Sequence, residues 1–323
     1  MITKNTKIFA ATLVIGMSFA VGINASTAQL TDFLFSHKLR NDPQLYAAVQ
    51  FIANEESTWQ LQENPYIENP AIAGAAAYSA FLGNQTNQPQ TLFSKNGNKP
   101  FPIASVSKLM TAVIAKEHYD PNDTITITER LLTLPENGGG LQENETLTIQ
   151  ELFYPLLMES SNEIAQSLAE KMGEEQFVAL MNDKARSLGL RNTAFQSATG
   201  LDKEGTASNT ASPQDIAALA SYIIKRHPEL FLIMGTKEHS FQSNGGVLHE
   251  LRNTNELLFS NLWRIPVVAG KTGTTPQAQG ALLIILEVPD KKGYIVNIIL
   301  GVQDRFGEMK KFTDWILAAY SWN

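Results

Sequence analysis

Cysteine is absent from the 323-residue chain, which excludes a thiol nucleophile, a disulfide and a thiolate metal site. Histidine is scarce, and His37, His118, His227, His239 and His249 show no His-Glu-x-x-His or similar ligand spacing. A zinc hydrolase is therefore not indicated, and each histidine reads as a surface or core residue. No Gly-x-Ser-x-Gly occurs, so the nucleophile elbow of the α/β-hydrolases is missing. Basic runs are lacking and the net charge is −7, which leaves no electrostatic reason to expect nucleic acid. There is no internal repeat and no low-complexity stretch. No metal and no cofactor is expected.

What is present reads as a globular chain. Hydrophobic residues make up 43% and charged residues 18%, a balance that can bury a substantial core. At the N-terminus Lys4 and Lys7 precede an apolar run from Ile8 to Ile23, followed by the small residues Ala25, Ser26 and Ala28. That order reads as an export segment, either a signal cut after Ala25 or Ala28 or a retained membrane anchor, and both readings stand. Residues 1–28 are assigned to it and residues 29–71 to a spacer, in which Asp42-Pro43 can cap a short helix carrying Leu45, Val49 and Ile52. Strands are expected from Ala75 to Gly83 and around Thr91 to Ser94, with a polar loop between them. A run of helices follows. The first carries Val106, Leu109, Met110, Val113 and Ile114. The next opens at the capping box Thr148–Glu151 and is kinked by Pro155, and a third runs from Glu163 to Met172. Further helices span Glu175 to Leu188 and the segment between the Ser212-Pro213 cap and His227-Pro228. After Ile265 the pattern returns to strands at Val267-Val268, Ala281 to Leu286 and Tyr294 to Leu300, and a last helix carries Met309, Phe312, Ile316 and Tyr320. Strands from both ends can share one sheet, with the central helices as a second lobe.

Three short stretches can carry chemistry. Ser105-Val106-Ser107-Lys108 is the one Ser-x-x-Lys of the chain. Helical residues three apart lie on one face, about 5–6 Å between Cβ atoms, so the lysine amine can reach the serine hydroxyl. A serine needs a neighbouring base, and a lysine of lowered pKa can be that base. On spacing alone a solvated surface pair is the alternative. Ser160-Ser161-Asn162 offers a second hydroxyl for proton relay and an amide to orient a lysine or bind a substrate carbonyl. Helix capping is the alternative there, and Ser94-Lys95-Asn96 repeats the pattern. Lys271-Thr272-Gly273-Thr274-Thr275 sets a cation and hydroxyls beside a glycine that permits close backbone approach, which suits a substrate carboxylate and an oxyanion. A turn ending a strand is the alternative.

Taken in order, Ser-x-x-Lys, Ser-x-Asn and Lys-Thr-Gly resemble the triplet of the serine penicillin-binding proteins and β-lactamases. The wider segments Ile103–Thr111, Ser160–Ala165, Thr199–Asp202, Asn253–Leu258 and Gly270–Thr275 are similar to those of the D-alanyl-D-alanine carboxypeptidases. The resemblance covers roughly residues 72–320, and residues 72–323 are assigned to a penicillin-binding, serine D,D-peptidase domain. It implies an α+β, β-lactamase/transpeptidase-like fold: a five-stranded antiparallel sheet flanked by helices, plus an all-helical lobe.

The resemblance also implies roles. Ser105 would be the nucleophile and Lys108 its base, with Ser160 relaying a proton. Asn162, Lys271, Thr272, Gly273 and Thr274 would hold the substrate, and the backbone N–H groups of Ser105 and Thr274 would form the oxyanion hole. The implied partners are peptidoglycan stem peptides, and β-lactam antibiotics as covalent inhibitors. The implied setting is the exported, periplasmic side of a bacterial membrane, with any attachment through the N-terminal segment. Three other readings compete. A D-alanyl-D-alanine endopeptidase would use the same residues on cross-links. A class A β-lactamase carries a deacylating glutamate, but no Glu-x-x-x-Asn stands at Glu170. A non-catalytic penicillin or peptidoglycan receptor would need no Ser–Lys pair.

Overall fold

The computed structural model describes residues 61–83, 89–135, 138–207, 209–289 and 292–322. The chain divides into two units, and the unit Glu63–Tyr320 contains everything discussed below. The N-terminal apolar run and the helix expected at Asp42-Pro43 lie outside the described residues. So do most of the loop at 84–90 and the centre of the turn at 289–293.

The strands used below are β1 (Ala76–Gly83), β2 (Gln90–Lys95), β3 (Glu238–Gln242), β4 (Leu248–Arg252), β5 (Val267–Thr275), β6 (Gln279–Glu287) and β7 (Gly293–Leu300). Five of them form one antiparallel sheet in the order β5-β6-β7-β1-β2, so the two ends of the domain meet in a single layer, as expected. The central strands β1, β6 and β7 are buried almost throughout rather than on alternate residues. Helices cover both faces, which is why these strands read as continuous apolar runs. Leu282, Leu283, Ile284 and Ile285 are all fully buried, and truncating any one to alanine is expected to cost about 2–5 kcal/mol.

The helices are α1 (Lys108–His118), α2 (Ile149–Tyr154), α3 (Asn162–Met172), α4 (Glu174–Ser187), α5 (Pro213–Arg226), α6 (Pro228–Gly235) and α7 (Arg305–Ala319). Helix α5 packs on β7 and β1, while α7 packs on β6 and β7. Helix α1 is buried all round from Lys108 to Ala115, because α3, α4 and α5 pack against it. A helix apolar on every side belongs inside a domain. The expected capping box is present: Glu151 N–H donates to Thr148 Oγ1 and Thr148 N–H donates to the Glu151 carboxylate.

Several elements differ from the sequence reading. The first helix opens as a separate 3₁₀ turn, Ala104–Ser107, before α1 begins. Pro155 does not bend a continuing α-helix; the chain runs on as a π-helical turn, Pro155–Glu159, that ends at Ser160 in the left-handed region. Strand β5 is not confined to its apolar start but continues through the Lys-Thr-Gly stretch to Thr275. Helix α6 and the β3–β4 hairpin were not expected at all.

Candidate active site

Three elements converge on one place: the 3₁₀ turn at the head of α1, the turn between Glu159 and α3, and the edge strand β5. Ser105 is the second residue of its turn, directly after Ala104, whose φ of +45° is a strained value for a residue with a side chain. The strain is held from behind. Gly200 has φ +84°, and a Cβ built on it would stand 2.2 Å from the Ala104 carbonyl oxygen, so only glycine lets this loop pass. On the other side a Cβ on Gly273 would stand 2.9 Å from Ile103 O and 3.1 Å from Ser105 N. The missing side chain brings the β5 backbone up to the amide of Ser105.

The surface-pair alternative for Ser105 and Lys108 is ruled out by burial, since Lys108 is fully buried and Ser105 is 8% exposed. Lys108 Nζ donates to Ser105 Oγ at 2.8 Å, to Asn162 Oδ1 at 2.7 Å and to Thr199 O at 2.7 Å. Asn162 in turn donates from Nδ2 to Pro135 O at 2.9 Å, which fixes its amide with the oxygen toward the lysine. The capping alternative for the second stretch describes only its middle residue. Ser161 Oγ accepts from Ile164 N–H and starts α3, whereas Ser160 and Asn162 turn into the site. The Ser-x-Asn at Ser94 lies around β2, on the opposite edge of the sheet.

Strand alternation divides the third stretch. Lys271 is 1% exposed and donates to Ser160 Oγ at 2.7 Å and to Thr272 O at 3.0 Å. Its pKa is pushed well below the ordinary lysine value, first by burial, then by the charges of Lys108 and Arg305. Thr272 is committed elsewhere, sharing a 2.7 Å hydrogen bond with the hydroxyl of Thr254. Thr274 is exposed and accepts from Arg305 Nη1 at 2.7 Å. All eight residues singled out from the sequence thus lie on these three elements or on the first residue of the helix that follows, Lys108 of α1 and Asn162 of α3.

Residues without a role in the sequence reading complete the site. Thr199 contributes a backbone carbonyl, which no side-chain pattern can reveal. Asp202 accepts from Thr275 Oγ1 at 2.9 Å and from Gln277 N–H at 3.0 Å, tying the end of β5 to the loop that holds Lys108. Glu163 accepts from Ser161 Oγ at 2.8 Å. Arg305 adds a second cation beside Thr274, at the start of a helix two strands further along the chain.

Residues 67–302 match the family model described as D-alanyl-D-alanine carboxypeptidase, Peptidase_S11. The chain is 30% identical over 244 residues to D-alanyl-D-alanine carboxypeptidase DacF of Bacillus subtilis, covering 72% of this chain and 60% of that protein. It is 31% identical over 251 residues to the D-alanyl-D-alanine endopeptidase of Escherichia coli, covering 76% of each. Among solved structures it is similar to penicillin-binding protein D2 from Listeria monocytogenes in the ampicillin-bound form. That match has a TM-score of 0.63 and 25% identity, covering 77% of this chain and 99% of the other. The five-stranded sheet, the three converging elements and these matches place the chain in the D-alanyl-D-alanine carboxypeptidase family.

Proposed function

We propose that this protein is a serine D,D-peptidase that removes the terminal D-alanine from peptidoglycan stem peptides through an acyl-enzyme on Ser105. One observation carries the reading: Lys108 Nζ lies 2.8 Å from Ser105 Oγ with Asn162 Oδ1 and Thr199 O as its other acceptors. A neutral amine that donates its two hydrogens to those fixed carbonyl oxygens turns its lone pair on the serine hydroxyl.

Ser105 Oγ attacks the carbonyl carbon between the two D-alanines as its proton passes to Lys108. The backbone N–H groups of Ser105 and Thr274 face the oxygen that becomes negative, an interaction stronger in the transition state than in the bound substrate. The C–N bond then breaks. Ser160 hands its hydroxyl proton to the leaving nitrogen and is reprotonated at the expense of the Lys108 ammonium. Water attacks the resulting ester, and its departing proton restores the Ser105 hydroxyl. The substrate carboxylate is gripped by Lys271, Thr274 and Arg305, and Asn162 holds the amide on the other side of the scissile bond.

β-Lactams are expected to acylate Ser105, since they present a strained amide in place of the scissile one. The expected setting is outside the cytoplasmic membrane, reached through the N-terminal segment. Among the described residues no helix is long and apolar enough to cross a membrane. The deciding experiment is incubation with a stem pentapeptide: the wild type releases D-alanine and Ser105→Ala does not. Release by both proteins, or by neither, ends the proposal.

A second reading has its own support. The endopeptidase relative is matched over the same share of both chains, 76%, whereas the carboxypeptidase relative extends well past the match. Digestion of cross-linked muropeptides separates the two, because an endopeptidase yields monomers without freeing D-alanine.

A further inference from the structure

The sequence reading left His249 without a task, yet it is 2% exposed and lies behind the site. Both ring nitrogens face acceptors. Nδ1 is 2.7 Å from Gly139 O, and Nε2 is 2.5 Å from Glu145 Oε1. A carbonyl oxygen can only accept, so Nδ1 is the donor to Gly139, while Nε2 lies against the carboxylate. Glu145 is equally buried, with 1% of its side chain exposed, and it also accepts from Gln142 N–H at 2.9 Å. Burial pushes its carboxyl up, but hydrogen bonds, that of His249 among them, outweigh burial and leave it below the ordinary range. The imidazole is further clamped by Phe241, stacked on it at 4.9 Å between centroids. A buried acid and base of this kind are costly to desolvate, and this pair offsets the cost with hydrogen bonds to fixed backbone.

What they hold is the Gly138–Leu141 segment, and that segment lies on the site. A Cβ on Gly138 would stand 3.2 Å from Glu159 O and 3.5 Å from Ser161 Cα. One on Gly139 would stand 3.0 Å from Pro155 Cβ. Gly138 N–H also points at Glu163 Oε2, 3.4 Å away. The segment therefore backs the π-helical turn and the left-handed Ser160 that it delivers. Just before it in the chain, Pro135 O receives the amide of Asn162.

We propose that His249 and Glu145 are positioning residues for acyl transfer: by holding the Gly139 carbonyl they press this segment against the Glu159–Ser161 turn and so fix Ser160 and Asn162 relative to Lys108. The proposal rests on the serine D,D-peptidase reading. It makes the β3–β4 hairpin, remote from the nucleophile in sequence, part of what sets the rate.

The test is saturation kinetics of acylation by a fluorescent penicillin, together with thermal melting. Wild type and Ser105→Ala come first: no labelling of the wild type, or equal labelling of both, defeats the peptidase reading whatever His249 does. Given labelling at Ser105, His249→Ala is expected to lower the first-order acylation constant about 10- to 100-fold, the scale on which misplaced catalytic groups lose rate. A lower melting temperature with an unchanged acylation constant overturns the proposal and leaves the pair a structural one. Should His249→Ala not fold, His249→Asn against His249→Gln decides. Asparagine sets its amide where Nδ1 stands, toward Gly139, and glutamine sets it where Nε2 stands, toward Glu145. Faster acylation by the asparagine variant supports the proposal, and equal rates or faster acylation by the glutamine variant refute it.

Discussion

In the proposed mechanism Lys108 is the base and Lys271 part of the carboxylate grip, and substitution separates a base from a mere charge. Lys108→Arg keeps a cation in the same pocket but removes the possibility of a neutral base, since a guanidinium does not give up its proton in a protein. Penicillin labelling is expected to fall about 10²- to 10⁴-fold, the range typical of a lost general base. Retention of labelling would mean that Lys108 acts only as a charge. Lys271 has a folded-state pKa below that of the unfolded chain. Between the two values the unfolded chain binds more protons, so stability rises with pH across that window. The penalty of burying this lysine is therefore complete at low pH and vanishes above the ordinary lysine value. Lys271→Met lacks the penalty, and its stability relative to wild type is expected to decline as pH rises toward about 10.5. Denaturant titrations of both proteins over alkaline pH check this, and a difference that does not vary with pH would contradict it.

Among the elements, the 3₁₀ turn at Ala104–Ser107 has the least support of its own. Its strained first residue is kept in place by a loop that passes at glycine distance. Gly200→Ala meets two obstacles, a positive φ and the Ala104 carbonyl. It is expected to lower stability by more than about 1 kcal/mol, the scale of an alanine forced to positive φ, and to reduce acylation as well. Denaturant unfolding beside penicillin labelling measures both, and a variant neutral in the two would show that the loop does not support the turn. How far elements could be read from sequence followed how local their causes were. The Thr148 capping box, the Ser212 cap and the apolar stripe that marks α1 as a helix all rest on residues a few positions apart, and all were legible, though α1 is buried all round and not on that stripe alone. The β3–β4 hairpin was not, because in β4 the apolar Leu248 is exposed while the polar His249 is buried, which blurs the alternation a strand should show. Helix α6 is a short apolar stretch directly after a helix stop, where periodicity has too few residues to show.

On the scale of the molecule, the two-ended sheet was legible because strand-like runs stood at both ends of a helical middle. The site was legible where it is made of side chains in short motifs. It was hidden where it is made of backbone, as at Thr199, or of a residue distant in sequence from the motifs, as at Arg305. Every contact described for the site lies within Glu63–Tyr320. A chain cut to those residues is accordingly expected to keep penicillin labelling within about 10-fold of the full chain, the scale left when no catalytic contact is removed. Complete loss in a cut chain that still melts cooperatively would show that residues beyond this unit take part.

Among the described residues, strand β5 has β6 on one side and no strand on the other. Near its exposed Thr274, a guest on the proposed reading can pair with the β5 main chain as a short sixth strand. Such a guest is gripped by its main chain, which all peptides share, and is told apart by where it stops. An enzyme built this way would be indifferent to much of the stem's composition and exacting about its terminus, so cells that vary the third residue of their wall peptides would remain within its reach.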